Sequence, residues 1–266
     1  MYLIKRHPVP ISAYFKHSLV LTYALPAQTL TPLLPPGVKL DTFGELGFVA
    51  IAIVQTQQLR PAFLPEWLGH TFILTGYRIF TRFETSAGRR LRGLRILRSD
   101  TDSAVMAALG SMFTHYHYSK ANIRLTEGNN SLDIRIATPR GQADLHVVAD
   151  LSTEPTCLLP PGSPFASLKE ARRYEGPLPF TFSYEPQTRS IIVVEGVRQH
   201  WDPQPVHVDV REVTFFKQPA FAGTQPVLAS AFHVHDIPYY WKRGVREPVP
   251  IHALTSTGRA NEGYQG

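Results

Sequence analysis

Apolar and polar residues alternate with a period of two through most of this sequence, in short segments cut by Gly, Pro and Asn clusters. Side chains return to one face every second residue only in an extended backbone, so the alternation commits the chain to half-buried β-strands. Eleven strands are expected: 17–24, 48–57, 72–84, 90–99, 122–126, 131–137, 143–150, 180–185, 190–197, 206–216 and 227–235. Glu127-Gly128-Asn129-Asn130 and Pro139-Arg140-Gly141 supply residues that tolerate positive φ, so 122–150 reads as a three-stranded meander. Many short strands joined by turns of this kind make a sandwich or a barrel.

Helical signals are few. A short helix is expected over 27–34, stopped by Pro35-Pro36-Gly37, and another over 167–174. The best is 102–113, where Val105, Met106, Leu109, Met112 and Phe113 follow the 3.6 period and Asp100 stands where an N-cap belongs. No internal repeat or linker divides the chain. One domain over 1–246 with a loose tail over 247–266 is the expected organisation.

Cys157 is the only cysteine, which rules out an intrachain disulfide and a multi-thiolate zinc site. The first residues lack the apolar core of a signal peptide. The longest apolar run, 48–54, is far short of the roughly 20 residues that span a bilayer. A cytoplasmic protein without membrane partners is therefore expected. The net charge of +6 raises the question of nucleic acid, but the basic residues are dispersed and form no binding-module fingerprint, so no nucleic-acid partner is expected.

Three segments, in order, resemble one family. They are Leu33-Leu34-Pro35-Pro36-Gly37-Val38, then the run from Leu91 to Asp102 followed by Thr114-His115-Tyr116-His117-Tyr118, then Ala229 to Trp241. Together the chain resembles the domain-of-unknown-function family 2071, grouped in the acetoacetate-decarboxylase-like superfamily, over roughly residues 12–243. The resemblance implies a mainly β fold: an antiparallel β-barrel with flanking strands, two or three short helices and an interior site. In acetoacetate decarboxylase that site holds a Schiff-base lysine, kept neutral by a neighbouring lysine. The corresponding Pro-Lys-Lys positions here read His115-Tyr116-His117, and no glutamate occurs in 72–83. The resemblance therefore carries the fold and the pocket, without the paired lysines of the iminium route.

Arg78 is the foremost candidate among residues that could carry chemistry. It shares a strand face with Leu74 and Phe80, so it must be paired or must face a polar cavity. Its planar fork suits a substrate carboxylate. Arg95 and Arg98 point to opposite faces of the next strand, and Arg95 is the preferred second substrate-binding arginine. If extended, 115–118 puts His115 and His117 on one face and Tyr116 and Tyr118 on the other. His117, Tyr116 and His115 are the acid/base candidates, and Tyr118 and Lys120 are further binding candidates. His233-x-His235 repeats the spacing, but no third ligand is in place, so neither a metal nor any other cofactor is expected. Glycine loops for phosphate and a Gly-x-Ser-x-Gly elbow are absent.

The expected function is binding of, or action on, a small anionic carboxylate- or carbonyl-bearing compound in a barrel interior. If catalytic, it would be lyase, hydratase or isomerase chemistry. The alternative is a non-catalytic ligand-binding barrel, and self-association into a homo-oligomer is left open. A third reading, a subunit-interface protein, requires a filled barrel with no cavity.

Overall fold

The computed structural model describes residues 2–152, 159–176 and 178–249. The first half of the chain runs β1 (Ile11–Pro26), α1 (Ala27–Leu30), β2 (Val38–Leu40), β3 (Leu46–Pro61), β4 (His70–Glu84), β5 (Arg90–Thr101) and α2 (Ala104–Phe113). It continues through β6 (Tyr118–Lys120), β7 (Asn122–Gly128), β8 (Ser131–Ala137) and β9 (Leu145–Asp150). After α3 (Leu168–Ala171) come β10 (Phe180–Glu185), β11 (Ser190–Arg198), β12 (Gln204–Pro205), β13 (His207–Val213), β14 (Val227–Trp241) and β15 (Val245–Pro248).

Seven strands close on themselves in the order β14-β1-β3-β4-β5-β10-β11, with β11 pairing back onto β14. All seams are antiparallel except β10 on β5, which is parallel and involves only Phe180 and Thr181 beside Gly93 and Leu94. A second, four-stranded sheet, β13-β9-β8-β7, covers one outer face of the ring. The expected meander is the core of this sheet. Two cores result. Leu19, Leu21, Val49, Ile51, Tyr77 and Ile79 pack outward against Leu132, Ile134, Leu145 and Val147 of the second sheet. Val20, Ala24, Phe48, Ala50, Phe80, Leu94 and Phe232 pack inward with Phe165 and Tyr174. Neighbours in sequence such as Leu19 and Val20 thus serve opposite faces, as the period of two requires. This inward cluster fills one end of the ring and leaves the other end hollow.

Several expectations need adjusting. β1 and β14 are far longer than 17–24 and 227–235, and β14 carries on past His235 through Asp236, whose φ is +56°. A residue in the left-handed region breaks the alternation, so the pattern is lost there while the pairing continues. The strand expected over 206–216 ends at Val213 and gives way to a 3₁₀ turn at Phe215–Lys217. Helix α2 is capped by Ser103, whose Oγ accepts from the Met106 N–H at 3.1 Å. Asp100 is not the cap: β5 runs on to Thr101, and the buried Asp100 carboxylate accepts two bonds from Arg98 at 2.7 Å each. Glu247 and Pro248, expected in a loose tail, pair with Ile191 and Ser190. Cys157 and everything from residue 250 onward lie outside the described residues.

Candidate functional site

The hollow end of the ring is a cavity of about 640 Å3. Its walls are the inward residues Ser18, Val54, Thr56, Leu74, Arg78, Ile96, Ser99 and Thr181. Helix α2 lies across the opening and contributes Val105, Met106, Leu109 and Phe113. The volume is within the range of small-molecule sites, and the lining has their usual character, mostly apolar with a few convergent polar groups.

Arg78 is the charged group at its heart. It pairs with Ala50 and with Ile96, and its side chain turns into the ring beside Gly76. A Cβ at Gly76 would lie 2.7 Å from Arg78 Nε, so glycine is needed there for the guanidinium to lie back along the strand. The buried Nε has no hydrogen-bond partner, and among the described residues no carboxylate pairs with this guanidinium. Burial depresses its pKa, with the hydroxyls of Tyr239, Tyr118 and Tyr116 close enough to act on it. A permanently charged group held this way in a protein interior is costly unless something anionic meets it.

Three phenols surround the guanidinium. Tyr116 and Tyr118 come from the turn after α2, Tyr239 from β14, and all three line the cavity. The turn is locked by side-chain bonds. Thr114 Oγ1 donates to the Gly110 carbonyl at 2.7 Å, and Ser111 Oγ bonds both the N–H and the carbonyl of Tyr118. Glycines again make room: a Cβ at Gly110 would sit 2.4 Å from the Tyr118 ring, and one at Gly196 would sit 2.2 Å from the Tyr239 hydroxyl. The Tyr116 hydroxyl bonds the Thr181 side chain. Burial pushes its pKa up to about 12, and pushes those of Tyr118 and Tyr239 up as well. At neutral pH these groups are hydrogen-bond and proton donors.

The structure therefore brings Arg78, Tyr116 and Tyr118 together and leaves the other candidates off the cavity wall. His117 adopts φ +47° and is exposed, while His115 is half-buried; neither lines the cavity. The segment is a bend with His117 in the left-handed region, not the extended stretch expected, and it is the tyrosines that face the cavity. Lys120 is exposed and borders a separate open groove beside Asp102 and Asn122. Arg95 is the second buried guanidinium with an unpartnered Nε, but it is not part of the lining. The expectation that Arg95 and Arg98 take opposite faces is corrected by a bulge: Arg95 pairs with Ile79 and Arg98 with Tyr77, two residues of one face. The extra residue between them resets the alternation.

Two histidines escaped the sequence reading. His7, on the arm before β1, lines the cavity with a buried Nδ1 that has no partner, and burial lowers its pKa to about 4, so it is neutral. His70 also lines it and bonds Ser103 Oγ at 2.6 Å. Neither stands in a motif, and only the fold brings them to α2. Tyr239 was legible as the end of the third motif, although the strand was expected to stop before it.

No lysine, aspartate or glutamate lines the cavity among the described residues. His233 pairs with His17, Nε2 to Nδ1, at 3.0 Å. Among the described residues no three His, Cys, Asp or Glu side chains are grouped to hold a metal ion. Among the described residues no helix is long and apolar enough to cross a membrane.

Solved structures share this fold. Acetoacetate decarboxylase from Legionella pneumophila superposes with a TM-score of 0.58 at 12% identity, covering 90% of this chain and 87% of that one. The enduracididine biosynthesis enzyme MppR, complexed with pyruvate, gives 0.56 at 14% identity and 90% of both chains. An acetoacetate decarboxylase-like enzyme from Sphingomonas wittichii gives 0.53 at 14% identity, covering 91% of this chain and 94% of that one. No curated protein matches the chain in sequence. The sequence pattern of DUF2071, described as an uncharacterized conserved protein, matches residues 12–242. The chain belongs to the DUF2071 family, and its fold is that of the acetoacetate-decarboxylase-like proteins.

Proposed function

We propose that the cavity binds a small carboxylate- or carbonyl-bearing molecule, with Arg78 gripping its anionic group and Tyr116 as the proton donor in lyase, hydratase or isomerase chemistry. The observation that carries this reading is the unpartnered Arg78 guanidinium in the wall of a ligand-sized cavity. A bidentate carboxylate would supply the missing acceptors. Tyr116 is beside it, and a buried neutral phenol can hydrogen-bond an enolate or alkoxide oxygen as charge develops there. His7, held neutral by burial, also lines the cavity. The pyruvate bound to MppR makes 2-oxo acids the first compounds to try.

One observation favours a second reading, non-catalytic binding. Among the described residues the lining has none of the lysines and carboxylates that usually drive such reactions. Thermal-shift scanning against oxo acids, followed by turnover assays, separates the two. Catalysis predicts that Tyr116→Phe retains the ligand-induced shift and loses turnover. Binding without turnover in the wild-type protein would select the binder, and no shift with any carboxylate would sink both readings.

A further inference from the structure

We infer that the ligand is amphiphilic: a monocarboxylate whose carboxylate meets Arg78 and whose aliphatic or aryl-aliphatic body, roughly eight to twelve carbons long, extends to the mouth beneath α2. This rests on the Arg78 reading above and adds the chemistry of the rest of the molecule.

The cavity is too large for a short oxo acid. A three- or four-carbon oxo acid has six or seven heavy atoms, which at about 30 Å3 each fill roughly a third of the about 640 Å3 available. Ten carbons at the same bulk fill about half of it. The three phenols are near Arg78, and the rest of the lining is mostly apolar or aromatic, with Leu59, Leu68, Phe72, Val105, Leu109 and Phe113 among its residues.

The opening is located by residues that both line the cavity and face solvent: Val105, Leu109, Phe113 and Leu68 are 54%, 46%, 40% and 49% exposed. Leaving such side chains wet forfeits part of the stabilisation that burying them would return, and a short polar ligand would leave them so. A chain emerging from the ring would cover them.

The other guanidinium on the lining is already engaged. Arg60 donates to the carbonyls of Leu64 and Gln58 and to Glu66, at 3.0, 3.0 and 3.1 Å. A dicarboxylate or a phosphorylated chain would therefore find no second free cation among the described lining residues, and one acidic head fits better.

The test is calorimetric titration of the full chain with straight-chain saturated monocarboxylates of four to twelve carbons and with their methyl esters, all below micellar concentrations. Affinity should rise about fourfold per methylene, the equivalent of about 0.8 kcal/mol per buried CH2, and level off once the tail reaches the opening. Esters should bind at least tenfold more weakly than acids, and Leu109→Asp should reduce the slope.

Equal affinity of four- and twelve-carbon acids would overturn the inference, and acids outbinding esters in the same data would still uphold the Arg78 anchor. A chain-length slope with acids and esters binding alike would uphold the apolar channel and overturn the anchor. No binding across the series would remove both.

Discussion

Arg78 shows how a single side chain can cost the fold energy and supply the site. Its guanidinium is held inside the ring by Gly76 beneath it, with Nε unpartnered, and among the described residues no carboxylate offsets its charge. Replacement by an apolar side chain of similar length should therefore stabilise the empty protein. Arg78→Met is expected to raise Tm by roughly 2–4 °C, about 1 kcal/mol for a domain of this size, while abolishing carboxylate binding. A fall in Tm would mean that the arginine has a structural partner. Gly110 and Gly196 serve Tyr118 and Tyr239 as Gly76 serves Arg78, so three polar groups of the cavity each lie against a glycine. Gly76→Ala would bring a Cβ within 2.7 Å of Nε and displace the arginine.

Helix α2 owes its apolar period to its place over a cavity, not to a packed core. Val105, Leu109, Met112 and Phe113 keep the 3.6 spacing that the sequence advertises, yet all are exposed, and Gly110 is its only buried residue. The helix is held at its start by Ser103, which caps it and also bonds His70 on β4. Ser103→Ala removes both ties and should cost about 1 kcal/mol, lowering Tm by roughly 2–4 °C. It should also speed amide exchange across 104–113 more than in β3 or β4. Uniform acceleration throughout the chain would show that α2 does not open on its own. The element also explains the misplaced cap: four polar residues in a row, Ser99 to Asp102, precede Ser103, and only the length of β5 decides which of them lies at the helix start.

The molecule as a whole is a closed ring with a buried polar complement, and acid should test it. His7 and His233 have pKa values lowered to about 4 by burial, whereas in the unfolded chain they titrate near 6.5. Between these values the unfolded state takes up the protons, so stability present above about pH 6.5 is lost as pH falls toward 4. Each histidine can contribute on the order of 3 kcal/mol at most, a large share of the roughly 5–15 kcal/mol typical of a domain. Urea midpoints measured from pH 7 to pH 5 should fall in the wild type and fall less in His233→Gln. Identical pH slopes in the two proteins would remove His233 from this account. Glu175, raised to about 7 by burial, acts in the opposite direction, since it destabilises the fold as pH rises from about 4.5 to 7.

What local pattern could specify was readable without coordinates. Alternation is set by the extended backbone itself, so the strands from 48–57 to 190–197, the meander and the inward face shared by Arg78 and Phe80 were legible. What depends on elements distant in sequence was not. Ring closure joins β11 to β14, the bulge that turns Arg95 and Arg98 to one face exists only in the pairing with β4, and the arm that carries His7 to α2 is held by backbone bonds to Phe113 and Gly244. A period of two assigns each residue to a face, but not which face encloses a cavity. That depends on how far the inward side chains fill the ring, and here Phe48, Phe80, Phe165 and Tyr174 fill one end and leave Arg78 looking into the other.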